Sequence, residues 1–446
     1  MSKIPYNIVV SRTELAHADW PFDISVVIPS LHEAGNLQLL LPRLDAVLNA
    51  LALHSQLIIV DNCPDEETIE VARTHQATLV DQQVPGYGAA LRIGFDLTEA
   101  PFVLTLDADL SHPPDYIEEM WEKRERAEVL IASRYVKGGN AEMSLGRLVL
   151  SRILNVFFSR GLDLKVRDMS SGYRLYSRRC LQSLDLVGSG FEVLQEILVK
   201  AYCEGWRVFE VPFSYAPRRQ GSSHTRVISF GLSYVRAFKS LYRLRNSILS
   251  ADYDARAYSS IVLPQRLWQR QRFRFVTRLI EGEGAVLDVG AGSSRILRAL
   301  PSGSVGVDIL LRKLRYARGF GTMLVQGSAF YLPFGSASFP CVLCSQVIEH
   351  VPKSSPILDE LDRLLEPGGP LVLGTPDYGR WEWRFTEAIY QRVLPSAYAD
   401  EHISHYTRNE LVNLFRKRGY ALEEQRYVFR GELILKFRKN DSLPLK

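Results

Sequence analysis

The sequence predicts two successive α/β units, each a parallel sheet wound with helices. Three observations predict it. From Asp23 onward, short apolar runs alternate with amphipathic ones in a βαβ rhythm. The run Val103-Leu104-Thr105-Leu106 ends in Asp107-Ala108-Asp109 and is stopped by His112-Pro113-Pro114, the pattern of a buried strand delivering acids to the open edge of a sheet. At Ala285 the rhythm begins again, with Val286-Leu287-Asp288-Val289 running into Gly290-Ala291-Gly292. We expect one domain over 1–246, a basic linker over 247–275 and a second domain over 276–446.

In the first unit the expected elements are Ile24 to Pro29, Leu37 to Leu53, Leu57 to Asp61, Glu66 to Thr74, Thr78 to Val80, Gly88 to Leu97 and Phe102 to Asp107, strand and helix in turn. Residues 1 to 22 carry little pattern. Ligands of such a sheet sit at the carboxyl ends of its strands. Those ends carry Pro29 and Glu33, Asp61, and Asp107 with Asp109. Alternate residues of a strand face the same way, so Asp107 and Asp109 can converge on one hard divalent ion that keeps positions open for phosphate oxygens. Two turn-forming aspartates are the plainer reading. Gly86-Tyr87-Gly88 adds small residues at a helix start, where free amides can approach an anion.

Composition narrows the function. The chain has 446 residues, enough for two or three cores, and is 46% hydrophobic and 23% charged, as a soluble globular protein is. A net charge of +4, without zinc-finger or aromatic-basic motifs, argues against nucleic acid. No apolar run reaches the ~18 residues of a membrane span; Leu37 to Leu53 is broken by Pro42, Arg43 and Asp45. With no signal pattern at the N-terminus, we expect a cytoplasmic protein, peripheral on the inner face of a membrane. Cys341 and Cys344 are spaced C-x-x-C but sit on an expected strand, where they face opposite ways and pack a core.

Val27-Ile28-Pro29…Glu33, Val60-Asp61, Gly86-Tyr87-Gly88-Ala89, Asp107-Ala108-Asp109, Ala132-Ser133-Arg134-Tyr135, Asp168-Met169-Ser170-Ser171-Gly172-Tyr173-Arg174 and Glu210-Val211-Pro212 follow one another in order. This series resembles the dolichol-phosphate mannose synthase group of inverting GT-A glycosyltransferases. The resemblance implies a GT-A nucleotide-sugar-binding domain, Mg²⁺ or Mn²⁺ on Asp107 and Asp109, and transfer of mannose or glucose from a GDP- or UDP-hexose to a polyprenyl phosphate. Pro29, Glu33, Asp61, Gly88 and Asp107 would hold the donor. A phosphate monoester is already an oxyanion near neutral pH, so cations matter more than a base. Arg174 belongs to that cationic set, and by similarity Arg134, Arg147 and Arg218 contact the acceptor or the diphosphate.

Val227 to Leu244 reads as a basic amphipathic helix, with Phe230, Tyr234, Phe238 and Leu241 on one side and Arg236, Lys239 and Arg243 on another. A membrane interface and packing on the domain core both suit it.

In the second unit, Asp288-Val289-Gly290-Ala291-Gly292, Asp308 at the next strand end, Gly327-Ser328-Ala329, Cys344-Ser345…Glu349-His350 and Leu365-Glu366-Pro367-Gly368-Gly369 resemble the class I S-adenosylmethionine-dependent methyltransferases. A nicotinamide domain would want a third glycine where Ser294 stands. The resemblance implies a Rossmann-like domain in which Asp288, Gly290 and Gly292 hold the methionine end of S-adenosylmethionine, Asp308 the ribose, and Ser328-Ala329 with Ser345 the remainder. Methyl transfer to a hydroxyl wants a base, and His350, His402 and His405 are the candidates, beside an aromatic Trp381-Glu382-Trp383 segment. Two other readings stand beside this one: a glycan or protein acceptor for the first domain, and a second domain that binds cofactor only as a scaffold.

Overall fold

A computed structural model describes residues 6–10, 20–215, 227–393 and 402–440. The chain divides into two compact units, 1–202 with 206–245 and 203–205 with 246–446.

The first unit holds β1 (Tyr6–Val10), β2 (Ile24–Ser30), β3 (Ser55–Asp61), β4 (Thr78–Gln82), β5 (Phe102–Thr105), β6 (Val129–Ser133), β7 (Asn140–Ala141), β8 (Arg174–Ser177), β9 (Val208–Pro212) and β10 (Ser214–Tyr215). Eight form one sheet in the order β1-β4-β3-β2-β5-β8-β6-β9, and β7 pairs with β10 separately. β2 to β5 are parallel, while β1 joins the edge and β8 joins the interior antiparallel. The winding leaves β2 through β3 and β4 on one side and returns to β5 on the other. This reversal opens a crevice at the carboxyl ends beside β2.

Central strands of such a sheet are covered on both faces, which is why they read as unbroken apolar runs. Ile24, Val26 and Ile28 of β2 share a core with Leu37, Leu40, Leu41, Leu44 and Leu48 of the helix Ala34–Ala50. Val27 points the other way, against the helix Tyr87–Asp96. There Gly94 has to be glycine, because a Cβ would stand 2.2 Å from Val27 Cγ1. Asp65 caps the helix Glu66–Thr74 by accepting from Thr68 N–H at 2.8 Å.

The second unit holds β11 (Val286–Val289), β12 (Val305–Asp308), β13 (Met323–Gln326), β14 (Cys341–Ser345), β15 (Pro370–Pro376), β16 (Tyr420–Val428) and β17 (Glu432–Lys439), in the order β13-β12-β11-β14-β15-β17-β16. β11 to β15 are parallel, and β16 and β17 add an antiparallel hairpin. Here the reversal falls at β11. Cys344 lies in the core on one face of this sheet and Cys341 in that on the other, so the C-x-x-C spacing is a strand packing both ways.

The stretch 247–275 carries the helix Tyr253–Tyr258 and most of the helix Leu263–Leu279, both within the second unit. Arg272 Nε and Nη2 grip the fully buried Glu432 carboxylate at 2.6 and 2.7 Å, and Trp268 Nε1 donates to it at 2.5 Å. No described helix is long and apolar enough to cross a membrane.

Glu432→Ala removes the carboxylate that Arg272 and Trp268 share. We expect a loss of about 3–5 kcal/mol from the second unit, read as a lower denaturant midpoint for one transition with the other unmoved.

Candidate functional site

In the first unit, Pro29 and Ser30 end β2 and Asp61 ends β3, with Ser30 and Asp61 directly in register. Asp61 is 0% exposed, and among the described residues neither its carboxylate oxygens nor Ser30 Oγ makes a hydrogen bond of normal geometry, although the Ser30 hydroxyl is near enough to lower the carboxyl. Burial pushes its carboxyl above the usual range. Glu33 stands at the N-cap of the helix Ala34–Ala50, where its carboxylate accepts from the Asn36 amide.

β5 stops at Thr105, so Asp107 and Asp109 lie in the turn beyond it, where Leu110 takes φ 62°. Strand alternation therefore does not set their directions, contrary to expectation. The turn does. Asp107 N–H donates to His112 Nδ1 at 2.9 Å, Tyr87 Oη donates to Asp107 Oδ1 at 3.1 Å, and Asp109 Oδ1 accepts from Ser111 N–H at 3.1 Å. His112 is itself buried and stacked on Tyr173. Asp109 is buried, while the Asp107 side chain is 30% exposed.

The loop after Asp168 closes on this turn. A Cβ on Gly172 would stand 2.3 Å from Tyr87 Oη and 3.4 Å from Asp107 Oδ1, so glycine is required there by close approach. Arg134, just past β6, holds the loop's base: Nε and Nη2 donate to Asp168 Oδ2 and Oδ1 at 2.8 and 2.7 Å, and Nη2 reaches Ser170 Oγ at 2.7 Å. Burial would push the Asp168 carboxyl up, yet the Arg134 guanidinium holds it below the usual range.

Two expectations need correction. Arg174 is fully buried, its guanidinium donating to the carbonyls of Ser171, Leu194 and Met169 at 2.7, 2.8 and 2.9 Å. It braces the loop and faces no phosphate. The amides of Gly88 and Ala89 both donate to the Ser189 carbonyl, and a Cβ on Gly88 would lie 2.6 Å from Gly188 O. That glycine serves loop packing, and its amide is not open to an anion. Arg147 lies on the helix Leu145–Gly161 with its side chain outside the described residues, as Arg218 is entirely. Tyr87 and Gly172 are the contacts of Asp107 that the residue pattern left unassigned, although both stand inside motifs already singled out.

In the second unit, Asp288, Asp308, Ser328-Ala329 and Ser345 gather along the carboxyl edge of β11 to β14. Burial, and then the charge of Asp308, pushes the Asp288 carboxyl up to about 7. Gly290 and Gly292 have φ 76° and 56°; a Cβ on Gly290 would stand 2.1 Å from Val347 Cγ2, and one on Gly292 2.7 Å from Asp254 Oδ2. Only glycine keeps that cradle open. Asp308 accepts from Gly292 N–H and Leu310 N–H, each at 2.8 Å, and each oxygen retains a lone pair for a diol. Ser328 Oγ accepts from Phe330 N–H at 3.3 Å, and Ser345 Oγ is buried without a hydrogen-bond partner among the described residues. The donors and acceptors of this edge suit S-adenosylmethionine in kind, as the oxygens of Asp107 and Asp109 suit a hard cation.

His350 closes the short 3₁₀ turn Ile348–His350 after β14, and its ring lies 5.0 Å from that of His402. His405 stacks on Tyr378 at 4.0 Å. Trp268, Arg272, Gln346, Trp383, Glu387 and His402 are among the residues that line one cavity of about 60 Å³.

Residues 25–185 match the model of glycosyl transferase family 2, and residues 287–373 match a methyltransferase domain. The polyprenol monophosphomannose synthase of Mycolicibacterium smegmatis is 31% identical over 212 residues, 44% of this chain and 79% of that protein. The chain belongs to glycosyl transferase family 2. Within that family the dolichol-phosphate mannosyltransferase of Pyrococcus furiosus is 29% identical over 235 residues, 50% of this chain and 63% of that relative's own length. A methyltransferase of solved structure from Thermotoga maritima is 22% identical and covers 40% of this chain and 98% of its own, with a TM-score of 0.31. The fold is thus a GT-A domain followed by a Rossmann-like methyltransferase domain, on one enzyme chain.

The raised Asp288 value carries a pH dependence. The unfolded carboxyl ionises near 4 and the folded one near 7, so the group's stabilising contribution is full below 4 and lost as pH rises through 7. Asp288→Asn should therefore stabilise the ligand-free second unit at pH 8 by about 1–3 kcal/mol relative to its effect at pH 5, while weakening S-adenosylmethionine binding. Denaturant titrations at the two pH values check the first, calorimetry the second.

Proposed function

We propose that the first domain transfers a hexose, mannose or glucose, with inversion from a GDP or UDP donor to a polyprenyl phosphate at a membrane surface. The second domain, over about 276–446, methylates a sugar or lipid-linked glycan from S-adenosylmethionine. The roles of Asp107, Asp109, Pro29, Glu33, Asp61, Arg134, Arg147 and Arg218, and those of the second domain's site residues, belong to this proposal.

The single observation that carries the lipid acceptor is the helix Leu145–Gly161. Leu145, Val149, Ile153 and Phe157, four apart, are 79, 54, 59 and 52% exposed, and Leu150, Leu154 and Val156 widen the face. Arg152 and Arg160 are exposed beside it. An apolar face flanked by arginines suits a bilayer with anionic headgroups, where a polyprenyl tail resides. The Val227–Arg245 helix, for which membrane contact was one expectation, supports this face from behind: Phe238 and Tyr234 pack on Phe157 and Phe158.

A divalent ion, when bound, would offset the diphosphate charge that grows on the leaving group. Asp107 and Asp109 supply oxygens for it, Tyr87 and His112 fix Asp107, and Asp61 awaits a donor-side hydrogen-bond partner. The acceptor phosphate brings its own oxyanion, so the domain has to orient it and exclude water. S-adenosylmethionine, when bound, would supply an electrophilic methyl group, and Asp308 with the glycine cradle would orient it.

Incubating the full chain with labelled GDP-mannose or UDP-glucose, Mg²⁺ or Mn²⁺ and a short polyprenyl phosphate should give a lipid-linked sugar. Asp109→Ala should lower its rate at least about a hundredfold and leave S-adenosylmethionine calorimetry unchanged. No lipid product from any donor sinks the proposal. Ile153→Glu with Phe157→Glu should cut vesicle cosedimentation at least about tenfold, while transfer to a water-soluble acceptor persists.

A further inference from the structure

The histidines expected as bases meet a buried acid for which the methyl-transfer reading has no use. Glu349, His350 and His402 each bring a ligand atom, all within 4.8 Å of one another. Glu349 and His350 leave β14 on the short 3₁₀ turn. The segment carrying His402 is stitched alongside: Ser404 N–H donates to Glu349 O at 2.9 Å and Ser404 Oγ to Val351 O at 2.6 Å.

Two of the three ligands are held from behind. Tyr378 Oη lies 2.7 Å from His402 Nδ1 and donates to Glu387 Oε1 at 2.9 Å, which makes Nε2 the nitrogen for coordination. Thr375 Oγ1 donates to Glu349 Oε2 at 3.1 Å, while Glu349 Oε1 is buried with no hydrogen-bond partner among the described residues. A carboxylate so enclosed needs a proton or a cation.

We propose that Glu349, His350 and His402 bind a divalent transition-metal ion in the methyltransferase domain, beside the cavity that His402 lines. Two imidazoles and one carboxylate suit Zn²⁺, Co²⁺ or Fe²⁺, and three protein ligands leave positions open for water or an acceptor oxygen. The all-oxygen pair Asp107 and Asp109 suits Mg²⁺ or Mn²⁺ instead, so the two domains select different ions. This inference deepens the methyltransferase reading and relies on it only for the use of the cavity.

The test uses the full chain, stripped with a chelator and titrated with Co²⁺. A visible d–d band of nitrogen-ligated Co²⁺ should saturate at one equivalent, and the thermal midpoint should rise with it. Glu349→Gln, His350→Gln and His402→Gln, near-isosteric changes, should each weaken that binding about a hundredfold or more, while Asp107→Ala and Asp109→Ala leave the band in place. No band in folded wild-type chain, a band indifferent to all three substitutions, or a band abolished by Asp109→Ala would overturn the site. S-adenosylmethionine calorimetry on the same samples separates the readings: a band without cofactor binding sinks the methyltransferase reading and spares the metal site, and the reverse result sinks only the metal site.

Discussion

A carboxylate taken out of water has to be met by donors, a cation or a proton, and both domains are arranged around that requirement. Some buried acids meet it within the fold. Asp168 takes the Arg134 fork and the amides of Ser170 and Ser171, and Glu432 takes Arg272 and Trp268. Such groups hold loops and helices in place. Asp61 and Glu349 are equally buried and leave oxygens unmatched, and Asp288 sits close to the charge of Asp308. Under the proposed function, the difference separates acids that hold the fold from those that meet a ligand.

The under-matched acids are not scattered. Asp61, Asp288 and Glu349 stand at or just past the carboxyl ends of parallel strands, near β2 in one sheet and β11 in the other. There the hydrogen-bond ladder stops, and the connections diverge to opposite faces of the sheet. Side chains at that edge lose their cover, so an acid can be enclosed by neighbouring loops and still face a cavity. One topological rule, used twice, opens a crevice in the first domain and a glycine cradle in the second, which the proposed function assigns to a diphosphate and a nucleoside. What differs is the loop chemistry: a turn braced by His112 and Tyr87 in one, glycines with positive φ in the other.

Much of this was legible because parallel strands buried on both faces leave unbroken apolar runs ending in polar residues. β1 was not legible: five residues at an edge, paired antiparallel with Thr78–Gln82 far along the chain, leave no local period. The directions of Asp107 and Asp109 were misread because a left-handed Leu110 and the His112 ring, both beyond the strand, decide them. Arg174 was misread for a different reason. Charge alone does not tell whether a guanidinium meets a phosphate or three carbonyls, and the informative sign was its place between Tyr173 and Leu175-Tyr176, all buried. Glu349 was named only as part of the motif Glu349-His350, since nothing local foretells that His402 closes on it.

Amphipathicity shows the same limit from the other side. The helices Leu145–Gly161 and Val227–Arg245 both carry apolar stripes, and periodicity cannot say which stripe is covered. Packing decides: Phe238 sits over Phe157 and Phe158 and so close to Gly161 that a Cβ there would be 2.8 Å from its ring. That contact covers Phe238 and leaves Leu145, Val149 and Ile153 facing outward. Each large apolar side chain left in water forgoes about 1.5–3 kcal/mol, so a row from Leu145 to Phe157 is a standing cost that folding alone does not explain. Under the lipid-acceptor reading the cost is offset when the row enters a bilayer, where the first domain would meet its polyprenyl substrate.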